Sequence, residues 1–238
     1  MLLISIIFTT LFLVLFQFEI LRYVAIHCKN YNSYLENYKN LDPADDKNKV
    51  IISFSVDPQN IQKIRPFLKS ILDQTVRVNQ INLNIPSEFS NQIPKEYTDL
   101  VRVLTTEKDY KSCTNCIPTL IRAYDKDTII IVLSSDTVYG KDFINFLVKE
   151  SNKDPNKALF STKAILIKPD FVDAKKLLST GNNFDQDWLS NNLVVEKKYV
   201  SYFNNYKSIE MFGAFSLMGA LKTGPDCAQN QPKVPGVN

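Results

Sequence analysis

The first 21 residues are apolar almost throughout, whereas the rest of the chain mixes apolar and polar positions with a regular period. Residues 2–18 carry no charge, and Glu19 is the only charged residue before Arg22. A helix of about 20 apolar residues is long enough to cross the hydrocarbon core of a bilayer. The pattern therefore predicts a transmembrane anchor over residues 1–21. A cleaved signal peptide is the alternative, but no basic residue precedes the run and no Ala-x-Ala site follows it.

The segments after the anchor differ in composition. Residues 22–48 are polar and contain an Asp-Pro-Ala-Asp-Asp break, which predicts a stem. Residues 49–212 have the pattern of a compact domain, and residues 213–238 gather Gly and Pro without a period, as in an irregular tail. Basic residues follow the apolar run but do not precede it, which favours a cytosolic domain. The single apolar run predicts a single-pass membrane protein. Because the charge bias is only a few residues, the orientation of the domain stays open between the cytosol and the lumen of the ER or Golgi.

Short apolar runs alternate with amphipathic stretches between residues 49 and 212. Strands are predicted at residues 50–55, 80–85, 100–104, 128–133, 158–167 and 199–203. Helices are predicted at residues 58–74, 116–124, 141–150, 170–178 and 187–196, with a break at Pro66. This alternation predicts an α/β fold with a mostly parallel sheet flanked by helices. Ligands of such sheets bind beyond the carboxyl ends of the strands, so residues that directly follow strands are the candidates for a site.

The composition excludes several classes of protein. The chain has 28 basic and 25 acidic residues without a long run of one sign, so we expect no nucleic-acid partner. Its only histidine, His27, follows the apolar segment, which argues against a Ser-His-Asp or Cys-His hydrolase. Four cysteines are too few for a disulfide scaffold.

The strongest candidate for chemistry follows the fourth predicted strand, where the chain reads Ser134-Ser135-Asp136. A carboxylate at the end of a buried strand can bind a divalent cation beside a phosphate, because Mg²⁺ and Mn²⁺ prefer oxygen ligands. On strand position alone, an ordinary turn residue or a helix cap before Lys141 is the favoured interpretation of Asp136.

Several segments between residues 50 and 193 form a wider pattern. They are residues 51–55 and 61–66, 70–75 (S-I-L-D-Q-T), 81–86, 109–120, 127–139 (beginning D-T-I-I) and 185–190 (D-Q-D-W-L-S). In order and spacing they resemble small GT-A-type glycosyltransferases, of the family-2-like or capsular-polysaccharide-synthesis kind. The resemblance implies a GT-A-like, Rossmann-like fold. It also implies transfer of a sugar from a nucleotide-sugar donor to a hydroxyl of a saccharide, lipid or protein acceptor.

The resemblance implies roles for individual residues as well. The donor site would contain Ser53, Ser55, Asn115, Ser134 and Asp136. Of these, Asp136 would hold Mn²⁺ or Mg²⁺, whose charge stabilises the departing diphosphate. Asp185 or Asp187 would be the catalytic base that deprotonates the acceptor hydroxyl.

Departures from the family pattern leave two alternatives open. Where the family has three consecutive aspartates, this chain keeps only Asp136, and Gln186 replaces the second acid of the late motif. Fewer anionic ligands weaken a site for a hard cation. The first alternative is therefore a catalytically inactive binding module with the same fold.

The second alternative is a redox protein. Cys113 and Cys116 form a C-x-x-C motif before a predicted helix, where a helix N-terminus can lower the pKa of a thiol. The motif alone has weak specificity. A four-cysteine zinc site would require Cys28 and Cys227 to converge with this pair, which their remote positions disfavour.

Overall fold

The computed structural model describes residues 2–17, 20–107, 110, 114–123, 125–161, 163–172, 200–202 and 208–210. The predicted helix at 187–196, most of the helix at 170–178 and the tail 213–238 lie outside these ranges. We describe the fold from the remaining elements.

A mixed β-sheet forms the centre of the described structure. The strands are β1 (Val50–Ser55), β2 (Gln80–Pro86), β3 (Arg102–Thr106), β4 (Ile129–Leu133), β5 (Thr137–Tyr139), β6 (Ala158–Phe160), β7 (Ala164–Ile167), β8 (Val200–Tyr202) and β9 (Ser208–Glu210). Seven of them form one sheet in the order β3-β2-β1-β4-β7-β6-β8, while β5 and β9 form a small antiparallel pair. Within the large sheet, β7 alone among the described strands runs antiparallel to its neighbours.

Helices flank this sheet. The described helices are α1 (Leu2–Gln17), α2 (Ile20–Cys28), α3 (Tyr31–Lys39), α4 (Arg65–Leu72), α5 (Lys95–Thr98), α6 (Ile117–Arg122) and α7 (Phe143–Lys153), with 3₁₀ helices at Pro58–Lys63, Ser87–Gln92 and Pro169–Phe171. The predicted α/β class with a mostly parallel sheet is therefore confirmed. The predicted break at Pro66 is also confirmed, because a 3₁₀ helix ends at Lys63 and Pro66 lies in the first turn of α4, where proline costs no hydrogen bond.

The sheet separates two apolar cores. On β4, Ile129, Ile131 and Leu133 face the larger core, whereas Ile130 and Val132 face the smaller one beside α6. All five residues of β4 are buried, as expected for a central strand covered on both faces. This strand is the apolar run that the sequence pattern predicts most clearly.

Residues 158–167 differ from the single strand that the pattern predicts. They form the antiparallel neighbours β6 and β7, with Phe160 opposite Ile165. The polar residues between the two apolar runs make the turn, where the amide of Ala164 donates to Ser161 Oγ and the amide of Ser161 donates to the carbonyl of Ala164. This hairpin supplies the antiparallel strand of the sheet.

Residues 22–48, predicted to be a stem, contain α3 and most of α2. Tyr31, Tyr34 and Tyr38 lie on one face of α3 and are buried in the larger core. Their spacing of three and four residues follows the helical period, so an apolar stripe was present in a segment whose overall composition is polar. This part of the chain packs on the domain instead of extending away from it.

A buried lysine attaches α2 to α4. The side chain of Lys69 on α4 is nearly inaccessible, and its ammonium donates to the carbonyls of Ile26 at 2.8 Å and Lys29 at 2.5 Å. These carbonyls belong to the last turn of α2 and the residue after it, where a helix leaves carbonyl groups without intrahelical donors. Burial is the main reason that the pKa of Lys69 lies below its usual value, with the charge of Arg65 as a smaller cause.

The side chains of α1 are largely exposed, in contrast to the packed tyrosines of α3. Ile4, Phe8 and Leu13 each expose more than half of their surface. In the part of the chain that the structure describes, no helix has both the length and the apolar character needed to cross a membrane.

We expect Lys69→Met to lower the free energy of unfolding by about 2–3 kcal/mol, because it leaves carbonyl groups of α2 buried without a donor. The measurement is urea denaturation of the full chain in detergent. Lys153→Met is the matched control, since Lys153 is an exposed lysine paired with Glu150 and its loss should cost no more than about 0.5 kcal/mol. Equal effects of the two substitutions would contradict the proposed attachment of α2.

Candidate functional site

A cleft of about 340 Å³ opens at the carboxyl ends of β1 and β4. Within the sheet, β2 is the neighbour of β1 on one edge, and β4 is its neighbour on the opposite edge. This reversal of strand order is a topological switch point, the position at which open α/β sheets bind their ligands. The lining residues are Ser55, Val56, Asp57, Asn60, Asn115, Leu133, Ser134, Ser135 and Asp136.

The structure brings together four of the five predicted donor-site residues at this cleft: Ser55, Asn115, Ser134 and Asp136. The parallel register pairs Ser53 with Val132, so the ends of β1 and β4 lie at the same edge of the sheet. The hydroxyl of Ser135 donates to the carbonyl of Ser55 at 2.8 Å and joins the two strand ends. Segments that are about 80 residues apart in sequence thus form one wall.

Asp136 is held by three donors. Its Oδ1 accepts from the hydroxyls of Ser134 at 2.6 Å and Thr137 at 2.8 Å, and its Oδ2 accepts from the ammonium of Lys163 at 3.0 Å. Burial by itself raises the pKa of this carboxyl, but the hydrogen bonds and the charge of Lys163 outweigh burial and hold the pKa below its usual value. Asp136 is therefore ionised at neutral pH.

Tyr139 fixes the backbone on which Ser134 lies. Its buried hydroxyl accepts from the amide of Ser134 at 2.9 Å and donates to the carbonyl of Lys163 at 2.5 Å. Burial raises the pKa of this phenol, so it stays a neutral donor. The sequence pattern missed this role; the only signal is the short apolar run that follows Asp136.

Ser53 has a different environment from the one predicted. It is fully buried and does not line the cleft; its hydroxyl donates to the carbonyl of Asn115 at 2.5 Å. The side-chain amide of Asn84 donates to the same carbonyl at 3.0 Å and to Ser53 Oγ at 2.9 Å. Ser53 and Asn84 therefore position Asn115, which does line the cleft. Asn82 and Asn84, which alternate with Ile81, Leu83 and Ile85 on β2, are the sequence signal for this buried polar network.

Among the described residues, Asp136 is engaged by protein donors and is not grouped with further ligands for a divalent cation. Both carboxylate oxygens already accept hydrogen bonds, and Lys163 balances the negative charge. Asp57, the other carboxylate of the cleft, accepts from the amide of Gln59 as the cap of a 3₁₀ helix. No group of three or more His, Cys, Asp or Glu side chains within the described ranges is arranged to hold a metal ion.

Other predicted site residues lie beyond the part of the chain that the structure describes. These are the candidate bases Asp185 and Asp187 and the cysteines Cys113 and Cys227. Cys116 is buried in the smaller core, and Cys28 is exposed. Burial of Cys116 in apolar surroundings is typical of a structural cysteine.

The fold and the cleft define an α/β protein with a polar cavity at the switch point of its sheet. No model of a known protein family matches the chain, and no curated protein sequence matches it. The functional argument therefore rests on the cleft and on the residues that line it.

We expect Tyr139→Phe to lower the free energy of unfolding by about 1–3 kcal/mol, because it leaves the carbonyl of Lys163 without this donor while the aromatic packing is kept. The check is urea denaturation. Tyr31→Phe is the control: the hydroxyl of Tyr31 is also buried but has no hydrogen-bond partner among the described residues, so its removal should be neutral or stabilising. A neutral Tyr139→Phe would contradict the role assigned to this hydroxyl.

Proposed function

We propose that the chain is a membrane-anchored protein with a GT-A-like fold that binds a nucleotide-sugar donor in the switch-point cleft and transfers the sugar to an acceptor hydroxyl. The observation that carries this proposal is the convergence of Ser55, Asn115, Ser134 and Asp136 on one cleft. The resemblance in sequence implies these residues from separate segments of the chain.

The chemistry of the cleft is compatible with such a donor. Hydroxyls of Ser55, Ser134 and Ser135 and the amides of Asn60 and Asn115 supply donors and acceptors for ribose and sugar hydroxyls. Its volume lies at the lower end of the range for small-molecule sites. The cavity is therefore large enough for a substantial part of a nucleotide sugar.

The proposed reaction needs one base. A carboxylate, Asp185 or Asp187 in this proposal, takes the proton from the acceptor hydroxyl while the oxygen forms a bond to the anomeric carbon. The bond from that carbon to the diphosphate breaks, and the nucleoside diphosphate leaves with the electron pair. Both candidate bases come from the resemblance, since they lie beyond the described residues.

An inactive binding module is the second candidate function. It is favoured by the serines at positions 134 and 135 and by the pairing of Asp136 with Lys163, which occupies a carboxylate oxygen that a metal would otherwise use. Such a module would bind the same donor without turning it over. The two functions differ in turnover and not in binding.

We also propose that the apolar segment of residues 1–21, which includes α1, anchors the protein in a membrane. The helix is apolar on all sides, and the hydroxyls of Thr9 and Thr10 donate to the carbonyls of Ser5 and Ile6 at 2.9 and 2.8 Å. A segment surrounded by hydrocarbon needs its polar groups satisfied internally in this way.

We expect the full chain to bind a nucleotide sugar with a millimolar or lower Kd, measured by titration calorimetry against a panel of donors. Ser135→Trp fills the cleft and should weaken binding at least about tenfold. Asn156→Trp, in the exposed turn before β6, is the control and should bind like the wild type. Absence of binding at millimolar donor, or equal binding by both variants, would be incompatible with a donor site in this cleft.

Release of sugar from the bound donor distinguishes the two functions. If the chain is a transferase, replacing the base, by Asp185→Asn or Asp187→Asn, should slow donor hydrolysis by about 10²–10⁴-fold while the Kd for the donor changes less than about threefold. The measurement is free sugar released over time by the full chain. A wild-type protein that binds the donor but releases no sugar would identify a binding module.

A further inference from the structure

A second cavity, of about 230 Å³, lies at the end of the strands opposite to the cleft. Lys49 and Thr128 directly precede β1 and β4, and Gln80 and Arg102 are the first residues of β2 and β3. The other lining residues come from the same strands, from α6 and from the turn after it: Ile51, Asn82, Leu104, Thr119, Arg122, Ala123 and Asp125. The two cavities share no lining residue, so this one is separate from the cleft.

The strand residues that line this second cavity share one face of the sheet. Side chains alternate along a strand, and Lys49 and Ile51 therefore lie on the same face as Ser53, which bonds to α6. The register extends this face across the neighbouring strands, because Ile51 pairs with Gln80 and the next strand residue on this face of β2 pairs with Arg102. Side chains from several distant segments thus converge on the cavity beside α6.

The floor of the second cavity is polar although it is buried. Asn82 is only 2% exposed; its amide donates to the hydroxyl of Thr119 at 3.2 Å, and its Oδ1 accepts from the amide of Gln80 at 2.5 Å. Thr119 takes one of the two N–H groups that an asparagine amide carries. Hydrogen bonds within the protein thus fix the orientation of the polar groups on the floor before any ligand arrives.

Three cations surround this floor. Arg122, in the last turn of α6, donates to the carbonyl of Thr105 on β3 at 3.2 Å, which holds its guanidinium beside the sheet. Lys49 and Arg102 lie at the exposed rim, and no described residue forms a hydrogen bond or an ion pair with either side chain. Because Asp125 is the one acid among the lining residues, the cavity carries an excess of positive charge.

We propose that this cavity is a second binding site, for a small molecule that bears a phosphate group. Arginine and lysine bind phosphate oxygens through charge-assisted hydrogen bonds, and the amides and hydroxyl of the floor suit the remaining oxygens of such a ligand. The volume lies below the range of about 300–1,000 Å³ that is typical of sites for drug-sized ligands. The site is therefore of a size for phosphate, pyrophosphate or a small phosphorylated compound. This inference does not depend on the proposed donor site.

The test is equilibrium dialysis of the full chain in detergent against radiolabelled pyrophosphate, in a low-salt zwitterionic buffer with EDTA. We expect saturable binding with a Kd of about 1 mM or lower. The double variant Lys49→Gln/Arg102→Gln removes the two rim cations and should weaken binding at least about tenfold. Both side chains are exposed, so the fold should be retained.

Two controls give the result its meaning. Lys39→Gln/Lys95→Gln removes the same charge from exposed positions on α3 and α5, whose tyrosines pack in the larger core on the other face of the sheet, and its Kd should stay within about threefold of the wild-type value. Ser135→Trp fills the cleft and leaves the second cavity open, so it should retain pyrophosphate binding.

Three results would overturn the second site. They are absence of saturable binding at millimolar pyrophosphate, an equal loss in the two double variants, and binding that Ser135→Trp abolishes while Lys49→Gln/Arg102→Gln retains it. The last result would place the anion in the cleft. Binding of nucleotide sugars is measured separately, so failure of the donor site and failure of this second site are distinguishable.

Discussion

The parallel pairing of β1 with β4 is the constraint on which the candidate site depends. It joins two strands separated by more than 70 residues and brings their carboxyl ends to one edge of the sheet. The order of strands in the sheet reverses at this pair, so the segments that follow β1 and β4 diverge and leave a gap between them. The hydroxyl of Ser135 donates to the carbonyl of Ser55 across this gap. Both strands are buried, so a one-residue slip in register would turn the side chains that fill one apolar core toward the other.

A second set of contacts connects the N-terminal helices to the same region. Arg22 on α2 donates to Asp73 at 2.8 Å and to the carbonyl of Tyr139 at 2.7 Å. The hydroxyl of Tyr139 in turn holds the backbone of Ser134 and Lys163. A single buried tyrosine therefore lies between the helix that follows the apolar segment and the charged pair of the cleft.

The electrostatics of the cleft follow from a small number of groups. Asp136 keeps its charge because three donors outweigh its burial, and Lys163 is one of those donors. The buried network around Asn84 adds no charge; it sets the position of Asn115 through hydrogen bonds to a backbone carbonyl.

The sequence by itself determined the α/β class and the break at Pro66, because strand and helix periods and proline geometry are local properties. Four of the predicted donor-site residues also meet in space, since parallel strand ends share an edge. Only the tertiary structure decided that Ser53 is buried, that residues 158–167 form a hairpin and that the tyrosines of α3 belong to the core. It alone showed that Lys163 lies beside Asp136. These features depend on contacts between distant segments, which no local pattern of residues specifies.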